Sequence, residues 1–476
     1  MITFFLSIGL LILGYLCYGA IVEKQFGADS NRKTPAVEVN DGVDFVPLPA
    51  WKMFLIQFLN IAGLGPIFGA IAGALWGPVA FIWIVVGCIV AGGVHDYFSG
   101  MLSVRHRGAS IPEVVGKYLG KGVMHFMRFF AILLLILVGV VFIKGPASLL
   151  NDMTGISVTI LVAVIFLYYI LATLLPIDKL IGKIYPIFGF SLLFMAAGIA
   201  IMLVVNGYDI PELTVANLSN LHSSPEKFPI FPMLFITIAC GAISGFHSTQ
   251  SPMMARCMTN EKQGRNIFYG TMIAEGIVAL IWAAAAMAFF GGVKELGEVM
   301  AKNGNNAAWV VNTISNTLLG KIGGIVALIG VVAAPITSGD TAFRSARLTI
   351  ADATKYSQKT IKSRLIITIP LFIIGFALTQ IDFGILWRYF GWANQTLSVF
   401  VLWTAVAYLI KQGKNPIIAL IPASFMTAVV TAYILVAPEG FSLPLTAGCA
   451  VGLIAAAIPT GLSIYGKINQ TKMQVG

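Results

Sequence analysis

Apolar runs of about 20 residues recur along the whole chain, separated by short polar connections. A helix of that length crosses the hydrocarbon core of a bilayer, about 30 Å thick. The pattern predicts thirteen spanning helices, near 2–22, 53–76, 78–103, 123–144, 155–175, 184–206, 230–250, 266–290, 322–345, 364–380, 385–410, 415–436 and 444–466. The short alternating segments of a membrane β-barrel are absent. Residues 2–22 read as a first span rather than a cleaved leader, because no basic stretch precedes them. The longest polar connection, 291–321, contains "GNNAAWVVNTISNTLLG", which predicts an amphipathic helix lying at the membrane surface.

Two predicted spans are interrupted. Residues 58–69 read "FLNIAGLGPIFG" and residues 235–245 read "FITIACGAISG". Phe-x-x-Ile-Ala occurs in both, and with a one-residue gap Gly65-x-Ile67-x-Gly69 aligns with Gly241-x-Ile243-x-Gly245. Glycine costs about 1 kcal/mol in a helix relative to alanine, and Pro66 removes a backbone donor. Unwound backbone at membrane depth must be buried in protein or line a cavity. Two such breaks in oppositely oriented spans are the mark of an inverted repeat with its site at the midplane, where half-helix ends meet anions and cations. Gly63, Gly65, Pro66, Gly69, Gly241, Ser244, Gly245 and the following His247 are the candidate substrate-binding segment. By contrast, "GAIAGALWG" (69–77) reads as close helix packing by small residues.

Composition fits this picture. The chain is 58% hydrophobic and 11% charged, against about a quarter charged in soluble domains. A net charge of +10 could suggest nucleic acid, but its distribution argues otherwise, and no nucleic-acid partner is expected. Of 30 Lys and Arg, 23 fall in one set of alternating connections and 6 in the other, with Arg128 inside a span. That bias predicts the N-terminus outside and the C-terminus in the cytoplasm. The five cysteines and five histidines show neither metal nor disulfide spacing, so no metal, cofactor or enzyme chemistry is expected. No connection is long enough for a signalling domain, which sets aside a sensor, and a channel would not need paired broken helices.

Beyond the breaks, further motifs carry a resemblance: "DFVPLP" (44–49), "AGLGPIFGAIAGALWG" (62–77), "GGVHDYFSGMLSVRHRGASIPE" (92–113), "ACGAISGFHS" (239–248), "SGDTAFRSARLTIAD" (338–352) and "WRYFGWANQTLSV" (387–399). In order and over nearly the whole chain, they resemble the carbon starvation protein A family of bacterial inner-membrane transporters. The resemblance implies the amino acid–polyamine–organocation superfamily and the five-plus-five inverted repeat of the bacterial leucine transporter. Residues 1–52 would hold the first helix and a cytoplasmic loop, 53–206 the first repeat, 230–410 the second, and 411–476 two added helices. It also implies import of pyruvate or a similar small carboxylate, or of short peptides, driven by a cation gradient. Membrane lipid, the solute and a coupling cation, H+ ahead of Na+, are the expected partners, and the sequence carries no reading of oligomeric state.

Buried charge at membrane depth is costly and marks function. Glu275 lies about nine residues, roughly 13 Å, from the inner end of its helix and is a candidate proton-coupling carboxylate, or else a structural hydrogen-bond partner. His95 and Asp96 are adjacent and therefore on different sides of a helix; Asp96 could gate the inner end with Arg105 or Arg107, or cap it. His247 can titrate near neutral pH or serve as a structural donor. Asp340, four residues before Arg344, is a coupling or gating candidate, or else half of a favourable intrahelical salt bridge at the cytoplasmic end. Ala334, Thr337 and Ser338 resemble the residues that close a sodium site in sodium-coupled relatives, although both hydroxyls could bond to their own helix. Asn394 and Gln395 offer amides to a dry cavity as substrate or scaffold contacts. The basic cluster Arg344, Arg347, Lys355, Lys359 and Lys362 reads as topology signal and lipid headgroup contact.

Overall fold

A backbone in hydrocarbon must satisfy its own N–H and C=O groups, so long apolar runs become helices. The computed structural model describes residues 1–41, 45–174, 177–358 and 360–475, with side chains outside 173–186, 322, 326–328 and 469–475. Asp44 and Lys359, and the side chains of Lys179, Lys183 and Lys472, lie outside the described residues. Every regular element among the described residues is helical. The main helices are α1 (Ile2–Phe26), α2a and α2b (Ala50–Ile61 and Gly65–Trp76), α3 (Val79–Arg105) and α4 (Lys121–Thr154). Next come α5 (Val158–Leu174), α6 (Ile187–Val205) and α7a, which runs through Ile230–Leu234 and Phe235–Thr237. They are followed by α7b (Gly245–Ala255), α8 (Glu261–Phe289) and α9 (Gly323–Thr354). The last four are α10 (Ile361–Leu378), α11 (Phe383–Lys411), α12 (Ile417–Val436) and α13 (Leu445–Ile468).

Ten helices among the described residues are long and apolar enough to cross a membrane, and the bent pair α2a–α2b makes an eleventh. The protein is a multi-pass membrane protein. Several helices outrun their expected ends: α4 continues through Pro146 to Thr154, and α9 runs on to Thr354. Hydropathy marks where lipid ends, whereas hydrogen bonding carries a helix into the polar region beyond. The polar 291–321 stretch does hold a helix, begun at Ala307 and capped by Asn306 Oδ1, which accepts from Ala308 N at 2.9 Å. That helix is broken from α9 at Gly320 (φ 65°, ψ −177°).

Both predicted breaks are present. At α2, Ala62 leaves the helical region (φ −83°, ψ 50°), Gly63 N–H turns back to the Ile61 carbonyl at 3.0 Å, and α2b sets off at 49° to α2a. At α7, Ile238 leaves it (φ −93°, ψ 74°), and α7b resumes at Gly245 after an extended Ser244. The two breaks touch. A Cβ on Gly65 would stand 2.3 Å from Cys240 Cβ, and one on Gly69 would stand 3.0 Å from the Thr237 carbonyl. A Cβ on Gly241 would lie 2.6 Å from Ala279 Cβ on α8, with Pro66 Cα at 3.7 Å.

A widened turn in α3, Gly87–Gly92, packs against the same region. Such turns free a backbone carbonyl, and here Tyr269 Oη on α8 donates to the Ile89 carbonyl at 2.8 Å. Trp83 Nε1 donates to the Ile238 carbonyl at 3.0 Å, and Cys88 Sγ lies 3.1 Å from that of Gly241. The loose backbone of α7 is thereby held by side chains of α3.

Candidate functional site

The residues around the α7 break form a buried polar chain that joins three helices. Asp96 on α3 receives His95 Nδ1 on Oδ1 at 2.7 Å and His247 Nδ1 on Oδ2 at 2.8 Å. The other ring nitrogen of His247, Nε2, lies 3.3 Å from Glu275 Oε2 on α8. All four side chains are fully buried. The Nε2–Oε2 contact is close enough for an ion pair but off the line a hydrogen bond needs, so His247 Nε2 and both Glu275 oxygens have no hydrogen-bond partner. His95 Nε2 is likewise unpartnered. Buried polar atoms are nearly always satisfied, so a cluster of unsatisfied ones in this position is a candidate for proton or ligand traffic. An imidazole with a carboxylate at each nitrogen can take a proton on one side and give one up on the other.

Asn394 on α11 is the second fixed point. Its Oδ1 accepts from Phe246 N at 2.7 Å and from Ser244 Oγ at 3.0 Å, while its Nδ2 faces Cys240 Sγ at 3.3 Å. The start of α7b is thus capped from another helix, and the amide satisfies donors that an N-terminus leaves free. Gly245 allows this approach, since a Cβ there would fall 2.3 Å from the Asn394 carbonyl oxygen. The start of α2b has no side-chain cap.

The sequence candidates divide accordingly. Glu275, His95, Asp96 and His247 come together, and the adjacent His95 and Asp96 act on one another despite leaving the helix in different directions. The inner-gate pairing of Asp96 with Arg105 or Arg107 does not form, because the histidines occupy both carboxylate oxygens. Gly65, Pro66, Gly69 and Gly241 lie at the contact between the breaks, Ser244 and Gly245 lie against Asn394 of α11 instead, and a Cβ on Gly63 would meet the Phe142 ring at 3.0 Å. Gln395 donates to the Phe235 carbonyl at 3.3 Å. Asp340 pairs with Arg344 at 3.4 Å, away from the polar chain. Thr337 Oγ1 bonds back to the Ala333 and Ala334 carbonyls, whereas Ser338 Oγ reaches the Leu59 carbonyl of α2a at 3.4 Å and Ala334 packs on Leu59.

One important residue escaped the sequence reading. Glu261 is fully buried and takes Arg105 in a fork, Nε to Oε1 at 2.7 Å and Nη2 to Oε2 at 2.9 Å. Arg105 Nη2 also reaches the Gly27 carbonyl at 2.8 Å, and Asp29 N donates to Glu261 Oε2 at 2.8 Å. The connection after α1, the end of α3 and the α7b–α8 connection are tied at the basic end of the bundle. The available signal was a lone acid in the otherwise basic stretch "NEKQGR" (260–265).

Nearby, a polar cleft of about 750 Å³ is bordered by Arg107, Lys117, Arg256 and Lys355. His106, also on its border, is pushed down to about 4 by burial first and then by Lys117 and Lys411. It is therefore neutral at pH 7: Nδ1 accepts from Lys117 at 3.2 Å, and Nε2–H faces Tyr118 Oη at 3.0 Å.

Comparison with known proteins agrees with this architecture. An uncharacterized membrane protein of Haemophilus influenzae is 46% identical, over 63% of this chain and 94% of its own length. Peptide transporter CstA of Campylobacter jejuni is 28% identical, over 87% of this chain and 77% of its own. Pyruvate/proton symporter BtsT of Escherichia coli is 27% identical over 59% of this chain, and the match spans about half of the symporter, 48%. Among solved structures, MhsT in complex with L-phenylalanine aligns over 88% of this chain and 99% of its own, at a TM-score of 0.56 and 15% identity. The Eremococcus coleocola manganese transporter aligns over 91% and 99% at a TM-score of 0.51 and 11% identity. These structural likenesses concern the fold alone, an all-α polytopic membrane fold of the leucine-transporter type with a five-plus-five inverted repeat. The family model described as carbon starvation protein CstA matches residues 1–151 and 144–385. With that match running over most of its length, the chain belongs to the carbon starvation protein CstA family.

Proposed function

We propose that this protein is a secondary active importer of a small organic solute in the bacterial inner membrane, working by proton-coupled alternating access. The observation that carries the reading is His247, buried at the α7 break with Asp96 on one ring nitrogen and Glu275 beside the other. A group so placed can couple protonation to the packing of α7b against α3 and α8. In this reading 53–206 and 230–410 are the two repeats, 1–52 and 411–476 are additions, and the Lys/Arg-rich end faces the cytoplasm. Relatives named as a peptide transporter and as a pyruvate/proton symporter support solute import in the family.

A small carboxylate such as pyruvate is the favoured solute. Both α2b and α7b start at the breaks, and helix N-termini favour anions. Asn394 already occupies the amide end of α7b, whereas α2b starts without a side-chain cap. A second reading, sodium coupling, draws on Ser338 Oγ beside the Leu59 carbonyl.

The test is uptake of labelled pyruvate, and separately of a dipeptide, into proteoliposomes under an imposed proton or sodium gradient. Accumulation of pyruvate with an inward proton gradient, lost in Glu275→Gln, is the expected result. Accumulation driven only by sodium, or unchanged in the Gln variant, overturns the coupling assignment. Dipeptide uptake without pyruvate uptake overturns the substrate assignment.

A further inference from the structure

Arg347, on the inner half of α9, presents an electrostatic problem. Its side chain is only 5% exposed, and neither Nε nor Nη1 has a hydrogen-bond partner. Among the described residues, the charged groups close enough to act on it are Arg344, Arg364 and Asp340. Asp340 is already engaged by Arg344 Nη2, which also donates to the Ala172 carbonyl at 3.1 Å. Arg364 on α10 donates its Nε to the Gln358 carbonyl at 2.9 Å. Arg347 therefore has two guanidinium neighbours and one carboxylate that Arg344 already holds, in a buried position where uncompensated charge is expensive.

One helical turn from Arg347, Ile350 borders an apolar groove of about 550 Å³ between α4, α9 and α10. Phe129 and Ile132 of α4 and Ile366 and Pro370 of α10 form its other walls. Its flanks face lipid, with Phe129 67% and Ile366 51% exposed. Arg364 stands two residues before Ile366, and Arg128 one residue before Phe129. Arg128 and Arg364 thus adjoin, along their own helices, residues that line a groove whose walls carry almost no polar surface.

We infer that this groove and its arginines form a site for an anionic phospholipid of the cytoplasmic leaflet, with an acyl chain in the groove and the phosphate diester taken by Arg347. Charge complementarity selects the headgroup and the apolar walls select the chain, so a soluble anion satisfies only half of the site. The leaflet follows from the orientation proposed above, but the binding itself does not depend on what solute is carried. The lipid would bridge α9 and α10 to α4.

The test uses the purified full-length protein in nanodiscs of phosphatidylcholine with and without phosphatidylglycerol. Thermal unfolding and native mass spectrometry read stabilisation and lipid retention. Wild type should retain phosphatidylglycerol over phosphatidylcholine. Arg347→Gln should cut that preference by about fivefold, the loss of one basic contact to an anionic headgroup. Ile366→Trp fills the groove from a lipid-facing position without touching charge and should cut it as well, which keeps the test alive if the arginine variant fails to fold. Equal retention of both lipids by wild type, or an undiminished preference in either folded variant, overturns the site. The same stabilisation by inorganic phosphate in phosphatidylcholine nanodiscs would assign the arginines to a soluble anion and reject the lipid.

Discussion

His247 Nδ1 in the first turn of α7b lies 2.8 Å from Asp96 Oδ2 on α3, a pair 151 positions apart in the chain and fully buried. Asp96 also holds His95, so one carboxylate fixes two imidazoles. Asp96→Asn is expected to lower stability by about 1–3 kcal/mol, the cost of leaving buried partners imperfectly satisfied. Accumulation of solute should fall further than the loss of folded protein explains. Thermal unfolding in detergent and uptake normalised to folded protein separate the two. A variant with wild-type accumulation removes Asp96 from the coupling chain.

The contact between the two breaks makes a reciprocal prediction. Gly65→Ala places a methyl 2.3 Å from Cys240 Cβ and 2.4 Å from Sγ. Overpacking of this kind costs about 1–3 kcal/mol, and it should separate α2b from the α7 break. Cys240→Gly removes both clashing atoms, so the double variant should regain much of the lost stability and uptake. A double-mutant cycle with no coupling would mean that the two breaks do not press on one another.

Asn394→Ala removes the cap that α11 supplies to α7b. Loss of a capping side chain costs about 1–2 kcal/mol, and the freed donors are the Phe246 amide and the Ser244 hydroxyl. Hydrogen exchange should quicken at 245–248 and stay unchanged in α12. Uniform exchange at the start of α7b in both proteins would show that the cap contributes little.

The pH dependence of the basic end follows from His106. Burial, Lys117 and Lys411 hold it at about 4 in the folded protein, below its ordinary value of 6.5. The fold therefore favours the neutral imidazole, and its contribution is complete above about 6.5 and declines as pH falls toward 4. His106→Asn should flatten the drop in melting temperature between pH 6.5 and 4 relative to wild type. An identical slope in the two proteins would exclude His106 as a source of that dependence.

Much of this architecture is local in origin. A run of about 20 apolar residues forms a helix long enough to cross a bilayer wherever it packs. Gly63, Gly65 and Pro66 spoil helix geometry within their own turn, and Asp340 meets Arg344 because four residues bring them to one face. Such features depend on nearest neighbours along the chain, and the sequence by itself determined them. Tertiary packing alone decided that Asp96 binds two histidines rather than Arg105, that Arg105 instead grips Glu261, and that Asn394 of one helix caps another. Those pairings span 148 to 156 positions apart from the His95 contact. They exist because helices settle against one another by shape, after which buried polar groups take whichever partner is within reach. Hydropathy and spacing carry no record of that choice.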